Sequence, residues 1–200
     1  MGHQVALYID DMLIVGATKD ACEKAVSAVR SLLSELGVVV NAKKSQFSPS
    51  QQVDYLGFHM DSQTMQISAP LKKLRNIKKE LKKCRNRQSI SPREVASLLG
   101  KINSLADALF PTRVHTASMQ DFKLRALSHN RGWDFRLPTP PSVMEDIQWW
   151  IKNIFVMNGR SLIPPISDFK AGTDASDYGW GAWIQDPVTG KITSFGGLFD

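Results

Sequence analysis

The chain has 200 residues, 42% of them hydrophobic and 22% charged, which is typical of a globular protein and excludes a disordered one. No apolar run approaches the roughly 18 residues that a membrane-spanning helix needs, so the sequence predicts no membrane partner. The formal net charge of +6 is unevenly distributed, because residues 71–136 carry 16 basic and 5 acidic residues while both flanking segments are mildly acidic. This basic middle predicts a polyanionic partner, most simply nucleic acid, unless it is only a solvated helix face.

The cysteines and histidines predict no metal centre and no disulfide. Cys22 and Cys84 lie far apart, and no metal-ligand spacing links the four histidines. Both cysteines are interpreted as small, partly buried residues. We therefore expect a reducing, intracellular setting, in either the cytoplasm or the nucleus.

The first block of the chain opens with an acidic pair between two apolar runs. Residues 5–9 and 12–16 are β-prone and flank Asp10 and Asp11, which predicts a hairpin with both acids at its tip. Adjacent carboxylates repel each other unless a cation compensates, and Mg²⁺ prefers such hard oxygen ligands. Two-metal phosphoryl transfer uses carboxylates in this way. Taken alone, the four residues Tyr8-Ile9-Asp10-Asp11 are a weak signal and favour an ordinary acidic turn.

The rest of this block alternates helix and strand. The apolar spacing predicts a helix over residues 19–36, with Gly37 as its C-cap. A strand follows over residues 38–40. A strand pair is then predicted over residues 53–60 and 65–68.

The second block is helical and basic. An apolar stripe from Leu71 to Leu81 is surrounded by lysines and arginines, which predicts an amphipathic helix. Ser91, Pro92 and Glu94 have the spacing of a capping box and predict the start of a second helix, which Pro111 ends.

The third block begins with a proline-rich linker at residues 138–141. Ser142 and Glu145 repeat the capping-box spacing and predict a helix that contains Trp149 and Trp150. These indoles could stack on nucleic-acid bases, but we interpret at least one of them as a core residue. Beyond the helix, three strands are predicted over residues 171–176, 178–184 and 192–195.

Three motifs of the first block occur in a specific order. Tyr8-Ile9-Asp10-Asp11 precedes the first helix, Gly37-Val38-Val39-Val40-Asn41-x-x-Lys44-Ser45 follows it, and Tyr55-Leu56-Gly57-Phe58 comes next. In this order and spacing they resemble the later palm motifs of reverse transcriptases. The basic helical block stands where that family has its thumb, and residues 173–182 resemble the start of a ribonuclease H domain. The closest likeness is to the polymerases of DIRS-type retrotransposons.

The resemblance implies a function for each motif. It implies two-metal nucleotidyl transfer with Mg²⁺ or Mn²⁺ as cofactor, an RNA/DNA primer–template as partner, and deoxynucleoside triphosphates as substrates of the intact enzyme. Asp10 and Asp11 would be catalytic metal ligands, and Lys44 a catalytic residue beside the triphosphate. Asp174 would be the first metal carboxylate of the ribonuclease site. Without the flanking motifs, Lys44 and Asp174 would be taken for a solvated lysine and a turn aspartate.

The resemblance also implies two sets of binding residues. Nucleotide and primer would contact Tyr8, Tyr55, Leu56, Gly57 and Phe58, the last four of which would also suit a plain buried strand. Phosphates of the nucleic-acid backbone would contact the basic helix, where affinity depends strongly on salt. Its predicted contact residues are Lys72, Lys73, Arg75, Lys78, Lys79, Lys82 and Lys83.

The expected fold class is α+β, in four parts. They are the C-terminal part of a polymerase palm (1–69), a helical thumb (70–137), a connection helix and linker (138–166), and the N-terminal part of a ribonuclease-H-like sheet (167–200). The family's palm needs a further aspartate and fingers from upstream, so we expect a fragment that alone neither polymerises nor cleaves. The alternative is a non-catalytic, nucleic-acid-binding relic of a reverse transcriptase. A structural protein that binds no nucleic acid fits the basic block poorly.

Overall fold

The computed structural model describes residues 4–128, 132–163 and 169–199. The chain divides into two compact units, residues 1–162 and 163–200. Both contain antiparallel sheets, and the first also contains five α-helices, so the fold class is α+β as predicted. None of the helices in these described ranges is long and apolar enough to cross a membrane.

The helices and strands of the first unit follow in chain order. The helices are α1 (Lys19–Glu35), α2 (Leu71–Arg85), α3 (Pro92–Asn103), α4 (Ala117–Ser128) and α5 (Pro141–Asn153). The strands are β1 (Gln4–Tyr8), β2 (Asp11–Val15), β3 (Gln52–Tyr55), β4 (Phe58–Asp61), β5 (Gln66–Ser68), β6 (Ser89–Ile90), β7 (Leu137–Pro138) and β8 (Arg160–Ser161). β1 pairs with β2, β6 with β7, and the others form one sheet in the order β3-β4-β5-β8.

The first hairpin forms with its turn one residue earlier than predicted, and α1 forms as predicted. The Thr18 hydroxyl accepts a hydrogen bond from the Ala21 amide at 3.1 Å, which caps the start of α1. Gly37 follows the helix with a φ of 73°, and its amide donates to Ser34 at 3.1 Å. Glycine suits this position because an L side chain disfavours a left-handed backbone.

Local predictions are wrong at four places. The helix that begins at Pro92 ends at Asn103 and not at Pro111, since the residues that follow form turns. Residues 38–40 form no strand, because a strand needs a hydrogen-bonded neighbour and the described residues place none beside them. Residues 53–60 are not one strand but β3 and β4, since the chain reverses at Leu56 and Gly57. Finally, α5 begins at Pro141 with no side-chain cap, so Ser142 lies inside its first turn.

The main hydrophobic core lies between the helices that follow residue 70. α2 buries Leu74, Ile77, Leu81 and Cys84, and these side chains share one cluster with buried faces of α3, α4 and α5. Trp150 is fully buried there and donates its indole N–H to the backbone of His115 at 2.6 Å. The prediction that at least one tryptophan of this helix is a core residue is confirmed.

The capping box predicted at Ser91 is present. The Ser91 hydroxyl accepts from the Glu94 amide at 3.3 Å, and the Glu94 carboxylate accepts from the Ser91 amide at 3.0 Å. Arg87 and Arg136 also pair with this carboxylate. Burial alone would raise the pKa of Glu94, but the hydrogen bonds from Ser91 and Arg136 and the two positive charges outweigh it and lower that pKa.

Two hydrogen bonds to the Asn158 side chain fix the start of α2 to the sheet. Ala69, which is buried, precedes the helix and donates its amide N–H to the Asn158 side chain at 2.8 Å. The Asn158 amide group in turn donates to the Ala69 carbonyl at 3.1 Å. These paired bonds hold the first turn of α2 beside β5 and β8.

The second unit contains the three predicted strands. β9 (Lys170–Ala175), β10 (Gly179–Gln185) and β11 (Ile192–Leu198) form an antiparallel sheet in the order β11-β10-β9. Trp183 of β10 lies directly over Gly172 of β9, where a Cβ atom would come within 2.3 Å of the indole nitrogen.

Candidate functional site

The acidic pair lies at the tip of the first hairpin. Tyr8 pairs with Asp11, so the two-residue turn consists of Ile9 and Asp10 and not of the two aspartates. Both carboxylates are exposed. Ile9 is 82% exposed and has a φ of 54°, a left-handed conformation that is costly for a β-branched residue. The hairpin therefore presents two adjacent carboxylates on a strained turn.

Tyr55 connects this hairpin to the next one. Its hydroxyl lies 3.4 Å from the carbonyl of Ala6 and 3.4 Å from that of Asp11. One O–H can donate to either oxygen, so it bridges β1 and β2 next to the acidic turn. The structure thus brings together two of the predicted motifs, Tyr8–Asp11 and Tyr55–Phe58.

The remaining predicted primer residues have different environments. Phe58 is buried in the core cluster, whereas Tyr8 is 56% and Leu56 is 42% exposed. Leu56 and Gly57 form the β3–β4 turn with φ values of 49° and 79°. The exposed side chains of Tyr8 and Leu56 are available to a ligand, while Phe58 anchors the β3–β4 hairpin to the core.

Lys44 lies in an exposed turn that Asn41 organises. The Asn41 side chain accepts from the Lys43 amide at 3.2 Å, and its carbonyl accepts from the Lys44 amide at 3.1 Å and from the Ser45 hydroxyl at 2.9 Å. The Asn-x-x-Lys-Ser spacing is therefore a local turn motif, which leaves the Lys44 ammonium group exposed.

α2 carries the basic surface, which we define as the exposed side chains of Lys72, Arg75, Lys79, Lys82 and Lys83. Lys79 lies four residues after Arg75 and three or four before Lys82 and Lys83, so the five residues share the helix face opposite the buried residues of α2. Like charges at this spacing repel one another and destabilise an isolated helix. A polyanion along this face would relieve that repulsion.

The other two predicted backbone-binding lysines make contacts within the protein. The Lys73 ammonium donates to the Gly57 carbonyl at 3.0 Å, and that of Lys78 lies 4.9 Å from the ring centre of Phe155. Glu80, the one acid of α2, pairs with Lys101. The sequence contains no signal for the Lys73 contact, because it joins residues 16 positions apart through a side chain.

Asp10 and Asp11 are two adjacent carboxylates at the tip of the first hairpin. The described residues contain no group of three or more histidine, cysteine or acidic side chains that could hold a metal ion. Mg²⁺, however, is commonly bound through one or two carboxylates together with substrate phosphates and water. The hard oxygen donors of Asp10 and Asp11 fit this second kind of site.

The second unit contains one predicted site residue, Asp174. It lies on β9 opposite Gly181, and it is exposed. Its carboxylate accepts a hydrogen bond from the Ala175 amide at 2.9 Å. Gly181 has open space where a Cβ would be, so the neighbouring strand does not cover this carboxylate.

The first 60 residues match a family model described as reverse transcriptase (RNA-dependent DNA polymerase). This match covers the acidic hairpin, α1, the Lys44 turn and the β3–β4 turn. No curated protein matches the chain.

The fold as a whole is similar to solved structures of foamy viral protease–reverse transcriptase. A complex of that protein with double-stranded DNA matches 98% of this chain with a TM-score of 0.58 and 15% identity. A complex with an RNA/DNA hybrid matches 98% with a TM-score of 0.59 and 16% identity. The chain spans 32% and 25% of the lengths of these two chains. The described residues thus have a fold similar to that of a region of these two chains.

Proposed function

We propose that the chain is part of a retroelement reverse transcriptase, an RNA-directed DNA polymerase that binds a primer–template and uses two-metal nucleotidyl transfer. The observation that carries the proposal is the exposed Asp10–Asp11 hairpin, which lies within the segment that matches the reverse transcriptase family model. The similarity of the fold to two nucleic-acid complexes of a reverse transcriptase supports it.

Asp10 and Asp11 would hold Mg²⁺ or Mn²⁺. The metal, when bound, supplies positive charge that lowers the pKa of the attacking 3′ hydroxyl and neutralises charge on the triphosphate. The contribution of the chain is to place the two carboxylates on adjacent residues, Asp10 in the hairpin turn and Asp11 at the start of β2. Exposure keeps both side chains accessible to the phosphates that would complete the coordination.

The remaining palm residues would position substrates. Lys44 carries an exposed ammonium group that can neutralise or protonate a leaving pyrophosphate. Tyr8 lies directly opposite Asp11 and would contact the incoming nucleotide. Tyr55, Leu56, Gly57 and Phe58 would grip the primer through the β3–β4 turn.

The parts after residue 69 would bind nucleic acid. We propose that residues 70–137 are a thumb whose basic surface contacts phosphates, and that residues 138–166 connect it to a ribonuclease-H-like part at 167–200. Asp174 would be a metal ligand of that second site. The assignment to a DIRS-type retrotransposon is part of the proposal and depends on the sequence motifs alone.

Salt-dependent binding to an RNA–DNA primer–template tests the thumb. Each phosphate contact contributes about 0.9 to the slope of log affinity against log salt concentration. Replacing Lys79, Lys82 and Lys83 together by alanine should reduce that slope by about 2 to 3. The matched control replaces Lys19 and Lys24, which pair with acids of α1, and should leave the slope unchanged. Equal slopes in all three proteins would contradict the proposal.

The effect of Mg²⁺ on duplex binding distinguishes the proposed polymerase palm from a non-catalytic, nucleic-acid-binding relic. A relic that keeps only its basic helices binds duplex with the same salt slope but gains nothing from the metal. The proposed polymerase palm binds more tightly with Mg²⁺, and the Asp10→Asn/Asp11→Asn variant does not.

A further inference from the structure

Lys73 has a different environment from the lysines around it. The basic surface points away from the core, but the Lys73 ammonium group donates to the Gly57 carbonyl at 3.0 Å. A hydrogen bond from a charged donor is stronger than one between neutral groups. Lys72 and Lys73 are both exposed, but the Lys73 ammonium group lies against the β3–β4 turn, whereas Lys72 belongs to the basic surface.

The turn that accepts this bond needs support. Leu56 has a φ of 49° in its left-handed backbone, and Gly57 has a φ of 79°. A leucine rarely adopts this conformation, and such residues persist where the surroundings fix them. An alanine Cβ at Gly57 would lie 2.3 Å from the Lys73 ammonium nitrogen, so the lysine packs tightly on the turn.

The backbone of Lys73 is fixed as well. Its amide donates to the Pro70 carbonyl at 2.9 Å, and Ala69 is held by the two hydrogen bonds of Asn158. The lysine therefore reaches the turn from a rigid helix start. On the far side of the turn, Tyr55 contacts the carbonyl of Asp11 at 3.4 Å.

From this arrangement we infer that Lys73 is a positioning residue that fixes the β3–β4 turn, and through Tyr55 the acidic hairpin, and that it makes no phosphate contact. The inference rests on the proposed function, because it assigns a role within the proposed primer grip. It replaces the role that the sequence predicts for Lys73 and leaves the basic surface to the five residues that define it.

Two measurements on adjacent alanine variants test this inference. Amide hydrogen exchange in residues 52–61 of the free protein should become about fivefold faster in Lys73→Ala, since one hydrogen bond to the turn is lost. Lys72→Ala removes the same charge one residue away and should leave that exchange unchanged. Lys73→Arg retains a donor and should restore most of the protection.

The salt dependence of duplex binding also distinguishes Lys72 from Lys73. Lys72→Ala should lower the salt slope by about 0.9, while Lys73→Ala should weaken binding equally at every salt concentration. Unchanged exchange in Lys73→Ala, or a slope reduced as much as in Lys72→Ala, would overturn the inference. If the unsubstituted chain showed no salt-dependent binding, the proposed function would fail, and the exchange measurement would still decide the role of Lys73.

Discussion

The hydroxyl of Tyr55 lies 3.4 Å from the backbone carbonyl of Asp11, across 44 residues of sequence. It lies equally close to the carbonyl of Ala6 on the partner strand. The contact joins the acidic hairpin to the β3–β4 hairpin, which is fixed to the core through Phe58. The Tyr55 side chain thus holds the backbone that carries the two carboxylates, although the strands of the acidic hairpin bury no large side chain of their own.

Loss of the Tyr55 hydroxyl should loosen the acidic hairpin. Tyr55→Phe removes a hydrogen bond that contributes about 0.5 to 1.5 kcal/mol, so amide exchange over residues 4–15 should accelerate by up to about tenfold. Tyr178→Phe is the control, because Tyr178 is 80% exposed in the second unit. Equal exchange rates in Tyr55→Phe and the unsubstituted chain would show that the bridge is not formed in solution.

A residue that tolerates the left-handed backbone should stabilise the β3–β4 turn. Leu56→Asn creates an Asn-Gly turn, the sequence preferred where both central residues have positive φ, and should raise the free energy of unfolding by about 1 kcal/mol. Leu56→Ala, which disfavours a left-handed backbone as leucine does, should give no such gain. Urea unfolding of both variants measures the difference, and an equal effect would argue against the strained turn.

The two tryptophans of α5 should differ strongly in their effect on stability. Trp150→Ala removes a fully buried side chain and should cost about 3 to 5 kcal/mol of unfolding free energy. Trp149 is half-buried and stacks on His115, so Trp149→Ala should cost clearly less. Similar losses in urea unfolding would show that the core does not centre on Trp150.

The lowered pKa of Glu94 gives a pH dependence with a definite sign. Because the folded-state pKa lies below the ordinary value of 4.5, ionised Glu94 stabilises the fold above that pH, and the contribution is lost as pH falls through the folded-state pKa. Glu94→Gln should therefore cost about 0.5 to 1 kcal/mol at neutral pH and much less in acid.

Urea unfolding of the Glu94→Gln variant at neutral pH and at about pH 3 measures this loss. Glu145→Gln removes the same charge from an exposed position of α5 and serves as the control. An identical pH dependence in the two variants would contradict the role assigned to the Arg87 and Arg136 pairs.

Local signals predicted much of this fold correctly. Gly37 ends α1, and the Ser91 capping box begins α3, because these residues act on backbone groups within one turn. The acidic hairpin follows from two β-prone runs around a polar turn. The three strands of the second unit are bounded in the same way by turn residues.

The missed features depend on contacts between distant residues. The turn at Leu56 was not predicted because leucine disfavours a left-handed backbone, and the surrounding contacts override that preference. The predicted strand at residues 38–40 lacks a neighbour within the described part of the chain. The hydrogen bonds from the Lys73 and Tyr55 side chains do not affect the spacing of apolar residues in the sequence. The link between the two hairpins is therefore seen only in the structure.

The most direct test of the central claim is the effect of Mg²⁺ on primer–template binding in the presence of a complementary deoxynucleoside triphosphate. Binding is measured for the unsubstituted chain and for Asp10→Asn/Asp11→Asn at constant ionic strength. The account predicts that Mg²⁺ strengthens binding of the unsubstituted chain and leaves the double variant unchanged. An equal response of both proteins to Mg²⁺, or none in either, would contradict a metal-binding role for the Asp10–Asp11 hairpin.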